Sequence, residues 1–491
     1  MPVVLHLQVS LGTLKPMTKA LAILLAGTAV FAADSRSLSD QYAPAAQKLI
    51  GAAMSDDQAL ARLEYLCDRI GNRLSGTASL ERAIQWSADE MRKAGLANVQ
   101  TPPVMVPHWV RGRESATLLA PVEKPLTMIG LGMSVGTPAE GITGDVVLAH
   151  TFDELKALGR AKVEGKIVLF NPEWKGYGQT VMYRVSGASK AADLGAKAVL
   201  VRSMTGVSLQ TPHTGALEYA EGSGKIPAAA LSTEDAAMLD RLIQAGVPVR
   251  VKLAMEAHQE PDAQSHNVMG EIVGSEKPDE VVVLGGHVDS WDVGQGANDD
   301  GSGILASLEA VALIKKLGLR PRRTIRVVFW VSEENSGAGG VAYRKLLGDA
   351  VSKHVAAIEM DGGAEKSVGF GFGSFGGRRR AMATPAPEGG EIPPTSPAAF
   401  DRVVAIGNLL ESIEGGQISH GGGGSDIEPL MLSGVPGLGV RTVEAHYFDW
   451  HHTDADSFDK LVLKEFQANV ASLAVMSYVL ADMPERLSEM K

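Results

Sequence analysis

Histidines and acids cluster at four places along this 491-residue chain. The stretch Glu280–Gly303 reads EVVVLGGHVDSWDVGQGANDDGSG and carries His287, Asp289 and the pair Asp299–Asp300. Ser332-Glu333-Glu334 follows, then Asp361-Gly362-Gly363, and late in the chain DWHHTDAD with His451 and His452. Neutral imidazole and carboxylate bind zinc-like cations, and manganese or cobalt would accept the same donors. Gly296, Gly301 and Gly303 allow the backbone to come close. A single acid of this kind is most often a helix cap or a solvated loop residue. Four such places together suit one metal site. Cys67 is the only cysteine, so neither a thiolate cluster nor an intrachain disulfide can form. It stands at helical spacing in ALARLEYLCDRI, which predicts a core position.

The elements that would position these side chains are short apolar runs. Val281–Leu284 reads as a buried strand. Thr324–Val331 and Val355–Met360 are continuous enough to be central strands covered on both faces. Gly303–Leu317 and Phe466–Met483 read as apolar helices. The alternation predicts an α/β fold, a mostly parallel central sheet with helices on both faces. In such sheets ligands bind beyond the carboxyl ends of the strands, which is where all the acids above fall. Gly362–Pro397, rich in Gly, Pro and Ala and carrying Arg378–Arg380, reads as a long surface loop.

Composition narrows the rest. Hydrophobic residues make up 45% of the chain, with 55 Gly and 24 Pro, as in a loop-rich globular protein. A formal charge of −11 argues against a nucleic-acid partner. Lys15 and Lys19 precede the apolar run Ala20–Phe31, with small residues around Ala32, the three-part pattern of a secretory signal over residues 1–32. The run is too short for a membrane span. A secreted or periplasmic location follows.

GGHVDSWDVGQGANDDGSG, the EE of WVSEEN, the D of EMDGG, GGSDIEPLMLSGVP and HHTDAD together resemble metallopeptidase family 28, over about Ser39 to Arg486. GKIVLF, GAKAVLV and IPAAALSTEDA resemble, in that order, a protease-associated domain. The expected organisation is a signal peptide (1–32), a first catalytic segment (33–123), an inserted α+β protease-associated domain (124–257) and a second catalytic segment (258–491). The resemblance implies a zinc exopeptidase fold with two Zn²⁺ per chain, and a homodimer. Asp299 would bridge the ions, with His287 and Asp361 on one and Glu334 and His452 on the other. Glu333 would be the general base toward a metal-bound water, and Asp289 would hold the ring of His287. The family pattern favours His452 over His451 and places a cis peptide after the bridging Asp. It puts His420 and Asp426 at the substrate pocket.

The reaction this implies is hydrolysis of dipeptides or removal of N-terminal residues. Two alternatives stay open: a carboxypeptidase acting on C-terminal acidic residues, and a non-catalytic receptor-like relative. A cyclase acting on N-terminal glutamine is a further possibility.

Overall fold

A computed structural model describes residues 38–373 and 392–490. The signal segment and Arg378–Arg380 lie outside the described residues. Eight strands form the first sheet. They are β1 (Ala97–Gln100), β2 (Val268–Ile272), β3 (Lys277–His287), β4 (Arg323–Trp330), β5 (His354–Glu359), β6 (Ser367–Phe372), β7 (Gln417–His420) and β8 (Gly437–Thr442). Their spatial order is β1-β2-β4-β3-β5-β8-β6-β7. The central run β4-β3-β5-β8 is parallel, while β2 against β4 and β6 against β8 are antiparallel.

Successive residues of a strand face opposite sides of its sheet, and β3 shows it. Val282 and Leu284 join the core that includes the helices Ser302–Lys316 and Leu463–Asp482. Val281 and Val283 join a second core with Trp330, Tyr343 and Leu430. Both long helices are apolar nearly all round, which suits elements enclosed by protein, and they pack against each other and against β3. Among the described residues, no helix is long and apolar enough to cross a membrane.

The text between Gly362 and Pro397 departs from expectation: it opens with the strand β6 rather than with a loop. Glycine is the reason. A Cβ on Gly369 would overlap the Gln417 carbonyl, and one on Gly371 the Gly421 carbonyl. The backbones of β6 and β7 pair at a distance that side chains would prevent, so glycines that read as loop here permit a strand.

A second sheet is built from residues between β1 and β2. Its order is Lys124–Leu126, Glu114–Ala120, Arg250–Met255, Ile142–Ala149, Ile167–Phe170, Ala198–Arg202, Ala228–Leu231, Met128–Gly130. The strand Glu114–Ala120 pairs here, upstream of residue 124, the expected start of the inserted domain. Four central strands are parallel, with fully buried runs such as Ile167–Phe170. An antiparallel ribbon, Pro103–Val110 with His258–His266, carries the chain out to this sheet and back.

Candidate metal centre

His287 is the last residue of β3, opposite Trp330 at the end of β4. The chain then leaves on the loop to Asp299 and returns under two clamps. Arg73, fully buried, donates from Nε to Val288 O (2.8 Å), from Nη1 to Gln295 O (2.8 Å) and from Nη2 to Gly296 O (2.9 Å). Asp456 accepts from the Asn298 and Asp299 N–H groups at 2.8 and 3.2 Å. The Asp299–Asp300 peptide is cis. Asp300 accepts from the N–H groups of His287 (3.1 Å) and Gly303 (2.9 Å), so it ties the loop back to the strand end. A Cβ on Gly286 would overlap that carboxylate.

This folding-back puts Asp299 between two groups of side chains. Its Oδ1 lies 3.1 Å from His287 Nε2, which is also 3.4 Å from Asp361 Oδ1 just past β5. Its Oδ2 lies 3.2 Å from His452 Nε2, which is also 3.1 Å from Glu334 Oε2. His287, Asp299, Glu334 and His452 are all buried. Asp289 accepts from the N–H groups of Glu333 (3.1 Å) and Glu334 (3.3 Å), joining the end of β3 to the turn after β4. Its own carbonyl, 3.1 Å from His287 Nδ1, orients the ring, while its carboxylate stands off at 3.7 Å. The expected carboxylate support of His287 is therefore a backbone contact first. Ser332 and His452 have φ of 66° and 63°, uncommon for non-glycine residues and concentrated at functional sites.

The donor set fits cations. Asp299 Oδ2 and Glu334 Oε1 are buried without a hydrogen-bond partner among the described residues. His287, Asp299 and Asp361 bring ligand atoms within 4.8 Å of one another, and so do Asp299, His451 and His452. Burial, with the negative charge of Asp299 adding to it, brings the carboxyl of Glu334 up to about 7 and that of Asp361 up to about 6. Burial opposes charge on the His452 ring too, yet Glu334 and Asp299 hold it up at about 10. Carboxylates so crowded call for positive charge, which divalent cations supply on displacing the protons.

Other residues fall unevenly. His451 stacks on His452 at 3.6 Å and brings Nε2 within 3.5 Å of Asp299 Oδ2, nearer than expected. Glu333 is buried, and its carboxylate raises the pKa values of Asp361 and Glu359. Asp426 is wholly buried, its N–H donating to Glu359 Oε2 at 3.0 Å. His420 stacks on Phe400 at the edge strand β7. Neither gains support as a substrate contact. Sequence reasoning missed three neighbours. Thr214 O is 3.3 Å from His452 Nδ1, Arg184 Nη1 is 3.5 Å from the same nitrogen, and Arg73 cages the loop. Thr214 and Arg184 belong to the second sheet's unit, far from His452 in sequence, and no local pattern marks them.

Imidazoles and carboxylates converging at the ends of parallel strands, with a buried acid pair beside them, define a metal-dependent hydrolase. The family model "Peptidase family M28" matches residues 267–476. Carboxypeptidase Q of Homo sapiens is 40% identical over 426 residues, 87% of this chain and 86% of that protein. The chain belongs to peptidase family M28 and is a metallopeptidase. A probable leucine aminopeptidase 2 of Aspergillus oryzae is 26% identical over 376 residues, 76% of this chain and 69% of that protein. The crystal structure of a peptidase M28 precursor from Shewanella amazonensis superposes with a TM-score of 0.84 at 31% identity, covering 92% of this chain and 99% of that one. BSAP, a zinc aminopeptidase from Bacillus subtilis, shares the fold at 20% identity and a TM-score of 0.62, covering 88% and 97%.

Proposed function

We propose that this metallopeptidase is a di-zinc exopeptidase that hydrolyses dipeptides or releases N-terminal residues. One observation carries the reading: the two oxygens of Asp299 face two separate ligand groups, His287 with Asp361 and His452 with Glu334. His287, Asp361 and Asp299 would hold one ion, and Glu334, His452 and Asp299 the other. Paired cations polarise a scissile carbonyl and make water acidic enough to attack near neutral pH. Glu333, adjacent to a ligand, takes the proton of the attacking water and passes it to the leaving amine. Asp289 holds the Glu333-Glu334 backbone and the His287 ring, so base and ligands keep one geometry. Imidazole and carboxylate donors suit zinc, and the word zinc in the name of the Bacillus relative supports it.

The second sheet with its helices we read as the protease-associated domain, and the apolar N-terminal run as a signal for export. The name carboxypeptidase Q keeps a C-terminal activity in view. Cleavage of free and N-acetylated dipeptides separates the two. The exopeptidase reading expects free dipeptides to be cleaved and N-acetylated ones to be spared. Equal cleavage of both would contradict it.

A further inference from the structure

Arg73 holds the loop between His287 and Asp299 from within the first unit, but two residues of that loop engage the second. Trp291 is buried in the second unit's core, with Trp109, Leu118 and Leu253. A Cβ on Gly132 would overlap its indole, so this glycine is the slot that admits the ring. The same ring stands 5.7 Å from the His452 ring. Asp292, the next residue, forms a forked ion pair with Arg111, which lies between the ribbon and the strand Glu114–Ala120. Arg111 Nε donates to Oδ2 at 2.8 Å and Nη2 to Oδ1 at 2.6 Å.

The guanidinium has further partners. Nη1 donates to Gly130 O at 2.5 Å and stands 3.6 Å from Glu114 Oε1, and Nη2 also donates to Thr214 Oγ1 at 3.3 Å. Thr214 meets His452 twice. Its N–H donates to the His452 carbonyl at 3.0 Å, and its own carbonyl lies 3.3 Å from Nδ1 of the ring. One guanidinium therefore touches both the loop that ends in Asp299 and the residue that orients His452. The side chains of Arg111 and Asp292 are 10% and 22% exposed, so solvent and salt screen this pair less than a surface one. A planar fork on a carboxylate fixes direction as well as distance, which a single contact does not.

We propose that Arg111 is a positioning residue for the metal centre: through Asp292 and Thr214 it sets Asp299 and His452 against each other, and so ties the hold on cations to the seating of the second unit. Arg111 lies outside the ligand set and acts only through these two residues. The proposal rests on reading Asp299 and His452 as metal ligands.

Competition with a chromophoric chelator reads zinc affinity in the folded protein, independently of turnover. Outer supports of metal ligands are typically worth about 10–100-fold in affinity, and Arg111→Met and Asp292→Asn are each expected to weaken zinc binding about tenfold. The double variant should match Arg111→Met, as for one shared interaction. Asp292→Asn keeps the side-chain shape and carries the test if Arg111→Met does not fold. Arg326→Met is the control: it breaks a comparable pair with Glu271, 2.7 Å long, in the middle of β4. It should lower the melting temperature and leave zinc affinity within about twofold of wild type. Wild-type affinity in Asp292→Asn, an equal loss in Arg326→Met, or additive losses in the double variant would overturn the proposal. The two readings fail separately. One zinc ion in the wild type, lost more readily from Asp292→Asn, would contradict the two-ion centre and support Arg111. Two ions held unchanged by Asp292→Asn would do the reverse.

Discussion

The two sheet units have similar cores and unequal chemistry. Both place parallel, fully buried strands at their centres. In the first, the strand ends and the loops beyond them carry His287, Asp299, Glu334 and Asp361, with His452 brought in from the late loop. In the second, the matching ends read Ala149-His150, Phe170-Asn171 and Arg202-Ser203, and His150 is spent on ion pairs with Glu154 and Asp240 at 3.0 and 2.8 Å. Parallel strands alone therefore make no site. What differs is the loop folded back over a strand end and clamped there, so that one carboxylate faces two ways. The second unit contributes instead at its border, through Thr214 and Arg184 beside His452.

The largest effect should come from the first unit's base. Glu333→Gln is expected to lower kcat about 10²–10⁴-fold with metal content and fold retained, since general acid–base groups are worth that much. Activity within tenfold of wild type would remove Glu333 from the chemistry.

Two buried arginines sharpen the contrast. Arg73 satisfies four carbonyls of the first unit, Gly71, Val288, Gln295 and Gly296. Arg184 meets Thr214 O at 3.4 Å, and its Nε has no partner among the described residues. Each buried polar group left open costs about 1–3 kcal/mol. Arg73→Ala should destabilise the protein by about 3 kcal/mol or more in denaturant titration, and Arg184→Met by about 1 kcal/mol or less. Equal losses would erase the distinction.

Gly215 tests the border itself. At φ 128° it leaves room for Arg184, and its missing Cβ would stand 2.8 Å from His452 Nδ1. Gly215→Ala should displace the His452 ring. Disturbing the outer support of a metal ligand typically costs about 10–100-fold in affinity, readable by competition with a chelator. Unchanged affinity would show the second unit to be passive at this ligand.

The smallest effects are in pH, and they differ in sign between the units. Glu280, at the foot of β3, feels burial that raises its pKa, but Arg486 and Arg323 bring it down to about 2. Its folded pKa is depressed, so its stabilisation is present above the ordinary Glu range and is lost as pH falls from there toward about 2. His150, in the second unit, is raised: burial lowers its pKa, but Asp240 and Glu154 outweigh it. Its stabilisation is full below the ordinary His value and is lost as pH rises through the folded one. Melting curves of Glu280→Gln and His150→Gln should approach wild type at opposite ends of the pH scale. The same trend in both would contradict these assignments.

Much of the candidate cluster was legible because its members stand just beyond the end of an apolar run: His287 after VVVLGG, Glu333-Glu334 after Val331, Asp361 after Met360. The long helices and central strands were legible for the same reason, a strong local pattern. The strands β6 and β7 were not, because their glycines serve a close backbone approach that only the partner strand reveals. Arg73, Arg184 and Thr214 were invisible, since each acts on residues more than two hundred positions away. The stacking of His451 on His452 also depends on a local backbone turn, φ 63° at His452, that residue type does not announce.

Metal content tests the central claim most directly. If Asp299 is the shared ligand of two cations, purified wild type should carry close to two zinc ions per chain, and Asp299→Ala should retain neither tightly while remaining folded. One ion in the wild type, or two ions kept by Asp299→Ala, would contradict the account.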